Sequence, residues 1–208
     1  PTLMVGAQLT TGWSTGTEQV YKVSVAAGET LRIHVDASAA TGATELYVRY
    51  GDLPTGYAYD EAYSNPVSPD QEVLIPSTLA GDYYVLVRAR QTEPGTTATL
   101  RADLMPLSIT RVTPDQGGTG DDDHRWVTVD IHGARFAAGA LVKLSRPGEF
   151  EIEPERWQVL DATHIRAVFD LRFVPHGLYD VTVINPDGQR VTEPYRYLVE
   201  RAIEADVT

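Results

Sequence analysis

The residues most suggestive of catalysis are Gly12-Trp13-Ser14-Thr15-Gly16, which match the Gly-x-Ser-x-Gly nucleophile elbow. That chemistry needs the serine on a sharp turn between a strand and a helix, beside fixed oxyanion donors. Here the following residues, Val20 to Val25, alternate as a strand, so a small polar loop accounts for the match. The chain has five histidines, His34, His124, His132, His164 and His176, and none forms a His-Glu-x-x-His pair. His34, His132 and His164 fall at strand positions whose neighbours point outward, and are read as surface histidines. Carboxylates are plentiful, but nothing in their spacing holds two across a cleft, as general acid-base work requires. No catalytic residue is assigned, and the chain reads as a non-enzyme.

Two loops have ligand-binding chemistry. Asp121-Asp122-Asp123-His124 follows the flexible stretch Gly117-Gly118-Thr119-Gly120, and calcium takes six to eight oxygens of this kind. The spaced Asp-x-Asp-x-Asp-Gly pattern is absent, so a solvated loop is expected. No cofactor is called for, and Asp121, Asp122 and Asp123 are the metal candidates, with calcium as the cation. Tyr57, Tyr59 and Tyr63 share one connection, where tyrosines offer large contact area at low entropy cost. Tyr59 is expected to pack over the end of the sandwich, leaving Tyr57 and Tyr63 as ligand-binding candidates. Trp13, Trp126 and Trp157 lie near strand ends and are expected to be core or interdomain filler.

These residues must be positioned by strands. Tyr21, Val23 and Val25 share one face, and Leu31, Ile33 and Val35 alternate with Arg32, His34 and Asp36. The short link Ala26-Ala27-Gly28-Glu29 predicts a hairpin between them. Further strands are expected at 45–50, 72–75, 82–89 and 97–104. The pattern restarts after Met105-Pro106, with strands around 127–131, 142–144, 165–169, 179–183 and 190–199. In the last of these, Tyr195, Tyr197 and Val199 should share one side. Asn185-Pro186-Asp187-Gly188 is a hairpin turn, because Asp-Gly tolerates positive φ. The one helical candidate is the short piece 199–205. Many short strands between turn signals predict an all-β chain of two β-sandwich domains in tandem, 1–105 and 106–208. Pro106 should stiffen their connector and fix the interdomain angle.

The bulk numbers agree with this division. A chain of 208 residues accommodates two domains of about 100 residues, and its 42% apolar content can fill two cores. The absence of cysteine removes disulfides, thiolate zinc sites and cysteine nucleophiles. A net charge of −12 without any basic run argues against a nucleic-acid partner. No apolar stretch is long enough for a membrane helix, so no membrane insertion is expected. Pro1-Thr2-Leu3-Met4 carries no export signal, which fits a mature or excised segment.

Two stretches resemble known families. Gln19 to Val25 followed by Ala27-Gly28 and Leu31-Arg32-Ile33, then Glu45 to Gly51 with Pro54-Thr55 and Tyr59-Asp60, then Ala80 to Val87, resemble the bacterial pre-peptidase C-terminal domain. That resemblance implies a jelly-roll-like sandwich of the kind appended to secreted peptidases. The cysteines that some members carry after the Tyr-Asp step are missing. Ile109 to Pro114, Val127 to Phe136 and Gly177 to Gly188 resemble the IPT/TIG domain, which implies an immunoglobulin-like sandwich used in bacteria as a spacer or adhesive module.

The sequence therefore leads to a non-catalytic accessory, adhesion or spacer segment of a larger secreted or surface bacterial protein. The alternative is a calcium-dependent, carbohydrate-binding or protein-binding module. Its partners would be neighbouring domains of the parent protein and an extracellular protein or glycan. Calcium separates the two readings of the Asp121 loop. A solvated loop leaves the melting temperature unchanged at millimolar calcium, whereas a site raises it by several degrees, because a ligand of the native state stabilises that state.

Overall fold

The computed structural model describes residues 1–120 and 125–201. They form two compact units, the first spanning Pro1–Met105 and the second beginning at Pro106. Among the described residues every regular element is a strand.

In the first unit the strands are β1 (Gln8–Gly12), β2 (Glu18–Val25), β3 (Thr30–Ala37), β4 (Gly42–Tyr50), β5 (Glu61–Ala62), β6 (Gln71–Ile75), β7 (Gly81–Thr92) and β8 (Thr97–Met105). They make two antiparallel sheets, ordered β1-β8-β3-β6 and β2-β7-β4-β5. Alternate residues of both sheets meet in one core, with Tyr21, Val23, Leu46, Val48, Val85 and Val87 from one sheet. Leu31, Ile33, Val35, Val73, Ile75 and Leu100 come from the other. This is the period-two pattern of the sequence realised as a sandwich.

The expected hairpin at 26–29 does not form. β2 and β3 belong to opposite sheets, so their link is an arch across the core. Thr78 holds that arch: its Oγ1 donates to the Ala26 carbonyl at 2.6 Å, and its own carbonyl accepts from Gly28 N at 2.8 Å. A two-strand pattern with a short link cannot distinguish a hairpin from an arch, because both place the same alternate residues inward.

The second unit contains β9 (Ser108–Thr113), β10 (Gln116–Thr119), β11 (Trp126–Ala134), β12 (Leu141–Ser145), β13 (Arg156–Asp161), β14 (His164–Asp170), β15 (Gly177–Ile184) and β16 (Arg190–Arg201). Its sheets run β13-β14-β11-β9 and β10-β16-β15-β12 around a core that includes Ile131, Phe136, Leu144, Ile165, Phe169, Tyr179 and Tyr197. Residues 117–119, read as a flexible loop, are instead strand β10, paired in parallel with β16. Glycine is needed at 117 because the Tyr197 hydroxyl and Leu171 occupy the space a side chain would fill. Residues 199–201, read as a helix start, continue β16, and the rest of that piece lies outside the described residues. Tyr195 does not share the buried side with Tyr197 and Val199. A bulge opposite Tyr179–Val181 gives it a φ of 55° and turns it outward, with its N–H donating to Asp180 Oδ1 at 2.8 Å.

The β15–β16 hairpin forms as the Asn-Pro-Asp-Gly turn predicts, with Gly188 at a φ of 85°. Asn185 does more than turn the chain. Buried beneath the loop after β11, its Nδ2 donates to the Arg135 carbonyl at 2.9 Å and its Oδ1 accepts from Ala137 N at 3.0 Å. The two motif stretches of this unit thus clasp each other. Gly133 sits at the bulge where β11 passes β9, and a methyl group there would collide with the Ser108 carbonyl and the Phe136 ring. Gly133→Ala is expected to destabilise the second unit by about 2 kcal/mol through overpacking, read as a lower urea midpoint.

Candidate functional site

A sandwich buries alternate residues, so the outer positions of β4 and β7 should be polar. Glu45, Arg49, Tyr84 and Arg88 obey this. One row does not: register places Val20, Leu86 and Tyr47 side by side across β2, β7 and β4, on the face away from the core. Leu86 and Tyr47 are nevertheless buried. Their cover comes from the connection between β4 and β6, residues 51–70, which adds β5 to the sheet edge through Tyr47↔Ala62 and Val48↔Glu61.

Within that cover, the rings of Tyr59 and Tyr63 stand 5.3 Å and 5.5 Å from the ring of Tyr47, Tyr63 edge-on. Such pairs contribute about 0.5–1.5 kcal/mol each beyond simple area burial. The enclosure pushes the Tyr47 hydroxyl well above the usual phenol range, first by desolvation and then through the neighbouring Tyr63 hydroxyl. Tyr63 is half-buried and also packs on the main core.

The loop is tied at several backbone points. Asp60 Oδ2 accepts from Tyr50 N at 2.7 Å, and Asp60 N donates to the Val48 carbonyl at 2.9 Å. Thr55 N donates to the Ala58 carbonyl at 2.9 Å, while Thr55 Oγ1 accepts from Tyr57 N and Ala58 N at 3.2 Å and 3.0 Å. Arg49 closes the start of the loop, donating to Asp52 at 3.0 Å and to the Leu53 carbonyl at 3.3 Å. The turn at 55–58 leaves Tyr57 projecting with 101% of its reference surface exposed. Leu53, Tyr59 and Val67 expose further apolar surface on the same connection. Beside Tyr47 on the sheet, Arg88 pairs with Glu18 at 2.6 Å and Arg90 with Glu45 at 2.7 Å. An anchored loop with a free phenol ring can stack on a flat apolar surface and hydrogen-bond at its rim.

The structure separates the two tyrosine candidates, placing Tyr57 in solvent and Tyr63 in the scaffold beneath it. Tyr59 packs on Tyr47 at the outer face of the sheet, rather than over the end of the sandwich, and stays 46% exposed. The sequence reading missed Tyr47 and Leu86. The signal was the unbroken apolar run Tyr83 to Val87, which marks a strand covered on both faces rather than one.

The other candidates fall elsewhere. Ser14 lies in a turn between β1 and β2 with its hydroxyl against Thr17 Oγ1 at 3.1 Å, and Trp13 beside it is core. Asp121, Asp122, Asp123 and His124 lie outside the described residues. Among the described residues no group of three or more histidine, aspartate and glutamate side chains is placed to hold a metal ion. His34 stands between Asp36 at 3.4 Å and Asp103 at 3.9 Å. It lines a shallow depression of about 380 Å³ with Arg32, Asp36, Asp70 and Glu72. Trp126 and Trp157 are not core residues: they are 51% and 42% exposed. Arg172 lies over the ring of Trp126 at 5.6 Å, and on the edge strand β13 Trp157 Nε1 donates to the Ala140 carbonyl at 2.8 Å.

The β2-to-β7 segment that frames this site has a family match. Residues 17–89 match the bacterial pre-peptidase C-terminal domain. Among solved structures, the chain is similar to the pre-peptidase C-terminal domain of collagenase from Bacillus anthracis. Identity is 17%, the match covers 49% of this chain and 91% of that one, and the TM-score is 0.38. It is similar to Aeromonas hydrophila PliG, a periplasmic inhibitor of g-type lysozyme, at 15% identity, covering 49% of this chain and 95% of that one with a TM-score of 0.35. It is also similar to the adhesin domain of Epf from Streptococcus pyogenes, at 9% identity, 95% and 79% coverage and a TM-score of 0.33. No curated protein matches the chain.

The packing assigns opposite stability roles to two tyrosines ten residues apart. Tyr57→Ala is expected to leave stability within about 0.5 kcal/mol of the parent. Tyr47→Ala should cost about 3 kcal/mol by emptying the covered outer face. Thermal or urea unfolding of both variants reads the difference.

Proposed function

We propose that the chain is a non-catalytic accessory or adhesion segment of a larger secreted or surface bacterial protein. In this reading the first unit, a pre-peptidase C-terminal domain, presents Tyr57 to an extracellular glycan or protein. The observation that carries it is the combination at 51–70 of a wholly exposed tyrosine with a loop fastened through Asp60, Thr55 and Arg49. Binding costs less when the contacting group is already held in place, and an exposed tyrosine has only two torsions to order. The family match at 17–89 supports an accessory role, since it concerns a domain appended to secreted enzymes rather than a catalytic one.

The second unit is taken as an IPT/TIG-like spacer. Its immunoglobulin-like sandwich and the clasp between Asn185 and the Arg135–Ala137 loop make it a compact structural module. Its function is then to hold neighbouring domains of the parent protein rather than to transform a substrate.

Binding to arrays of bacterial and host glycans and of extracellular matrix proteins tests the reading, with the parent chain and Tyr57→Ser side by side. A ligand whose apparent Kd weakens at least tenfold in Tyr57→Ser is the expected result. Arrays that stay blank for the parent chain, or a ligand bound equally by both proteins, would remove Tyr57 from the contact.

A further inference from the structure

The outer face of the β13-β14-β11-β9 sheet carries a histidine pair that the function above does not use. Gly133 N donates to the Thr163 carbonyl at 2.9 Å, which makes that pair hydrogen-bonded and the next pair along, His132↔His164, non-hydrogen-bonded. Side chains approach most closely at such pairs. The two imidazoles stack accordingly, with centroids 4.5 Å apart and planes 18° from parallel. They form the middle of a row that crosses the whole sheet, because His132 is opposite Arg111 on β9 and His164 opposite Asp161 on β13.

The carboxylates beside the stack are already engaged. Asp130, on β11, receives Arg166 of β14 at 2.8 Å and 3.3 Å, and its Oδ1 lies 2.7 Å from His164 Nε2. Asp161 Oδ1 accepts from Thr163 N and Thr163 Oγ1 at 2.6 Å and 2.7 Å. Arg111 adds a positive charge on the far side of His132. A proton on His164 therefore faces Asp130, whereas a proton on His132 faces a stacked imidazolium and a guanidinium.

We propose that the His132–His164 stack is an acid-sensitive latch across the central β11–β14 pair, which loosens the second unit when its surroundings become mildly acidic. Both rings neutral, the stack is an aromatic contact that ties the two strands; both charged, it is a like-charge pair at a cross-strand position. Burial first, then His164 and Arg111, hold the His132 imidazole below its ordinary range, against the opposing pull of Asp130 and Asp161. A histidine whose folded value is depressed leaves the unfolded chain binding more protons. Stability is then full above the unfolded value of about 6.5 and is lost as pH falls through it. Asp130 works in a lower window: Arg166, followed by His164, holds its carboxyl below the usual carboxylate range, so it stays charged while His132 titrates.

The test follows the intact chain by NMR at pH 7.5, 6.5 and 5.5, using amide signals of β11 and β14 so that the first unit does not contribute. The melting temperature of the second unit should fall by about 4 °C across that range. In His132→Gln most of the fall should disappear. A fall of the same size in that variant overturns the proposal. Imidazole C–H signals of the parent chain give a readout that needs no variant. His132 should titrate below about pH 6.5, and a midpoint at or above that value also overturns the latch. In His164→Gln the His132 midpoint should rise, and an unchanged midpoint rules out coupling between the rings.

Discussion

Each strand of a sandwich has two faces but only one shared core, and this constraint organises both units. An apolar side chain on the outward face must find a second cover or remain in water. In the first unit the row Val20–Leu86–Tyr47 breaks the alternation, and residues 51–70 fold over it. The loop that would otherwise wander is therefore anchored by a small aromatic cluster, Tyr47 with Tyr59 and Tyr63. Tyr57 owes its fixed presentation to this secondary packing, since the ring itself touches almost nothing.

The second unit resolves its own constraint differently. Its outward apolar residues, such as Leu141 and Leu178, stay exposed, and the loop after β11 is ordered by buried hydrogen bonds. Asn185 is the clearest case, an amide whose donor and acceptor are both used on the backbone of the loop after β11. A buried amide left unpaired costs about 1–3 kcal/mol, so the clasp specifies one arrangement of the two loops and penalises others. Gly133 and Phe136 complete it, because the bulge at Gly133 admits the β9 backbone and the Phe136 ring at once.

Arg88–Glu18 and Arg90–Glu45 on the tyrosine face are partly exposed pairs, and such pairs contribute little to stability. They do keep charged side chains ordered beside Tyr47 and surround the tyrosine patch with polar groups, the composition common at contact surfaces. The match to the pre-peptidase C-terminal domain at 17–89 spans β2 to β7, the strands that carry the anchored tyrosine loop.

Period-two alternation, turn chemistry and the break near Pro106 were enough, from the sequence alone, to define an all-β chain and most of its strands. The Asn-Pro-Asp-Gly hairpin was also legible, because a turn that demands positive φ is a local property of its residues. Tertiary structure alone decided which strands share a sheet. The 26–29 link became an arch, the glycines at 117–118 entered β10, and His132 met His164, all through pairing between residues far apart in the chain. The tyrosines divide the same way. Their types and proximity marked a candidate loop, but whether each ring faced solvent or scaffold depended on Tyr47 and Leu86 beneath it, a surface that exists only once β4 and β7 lie side by side.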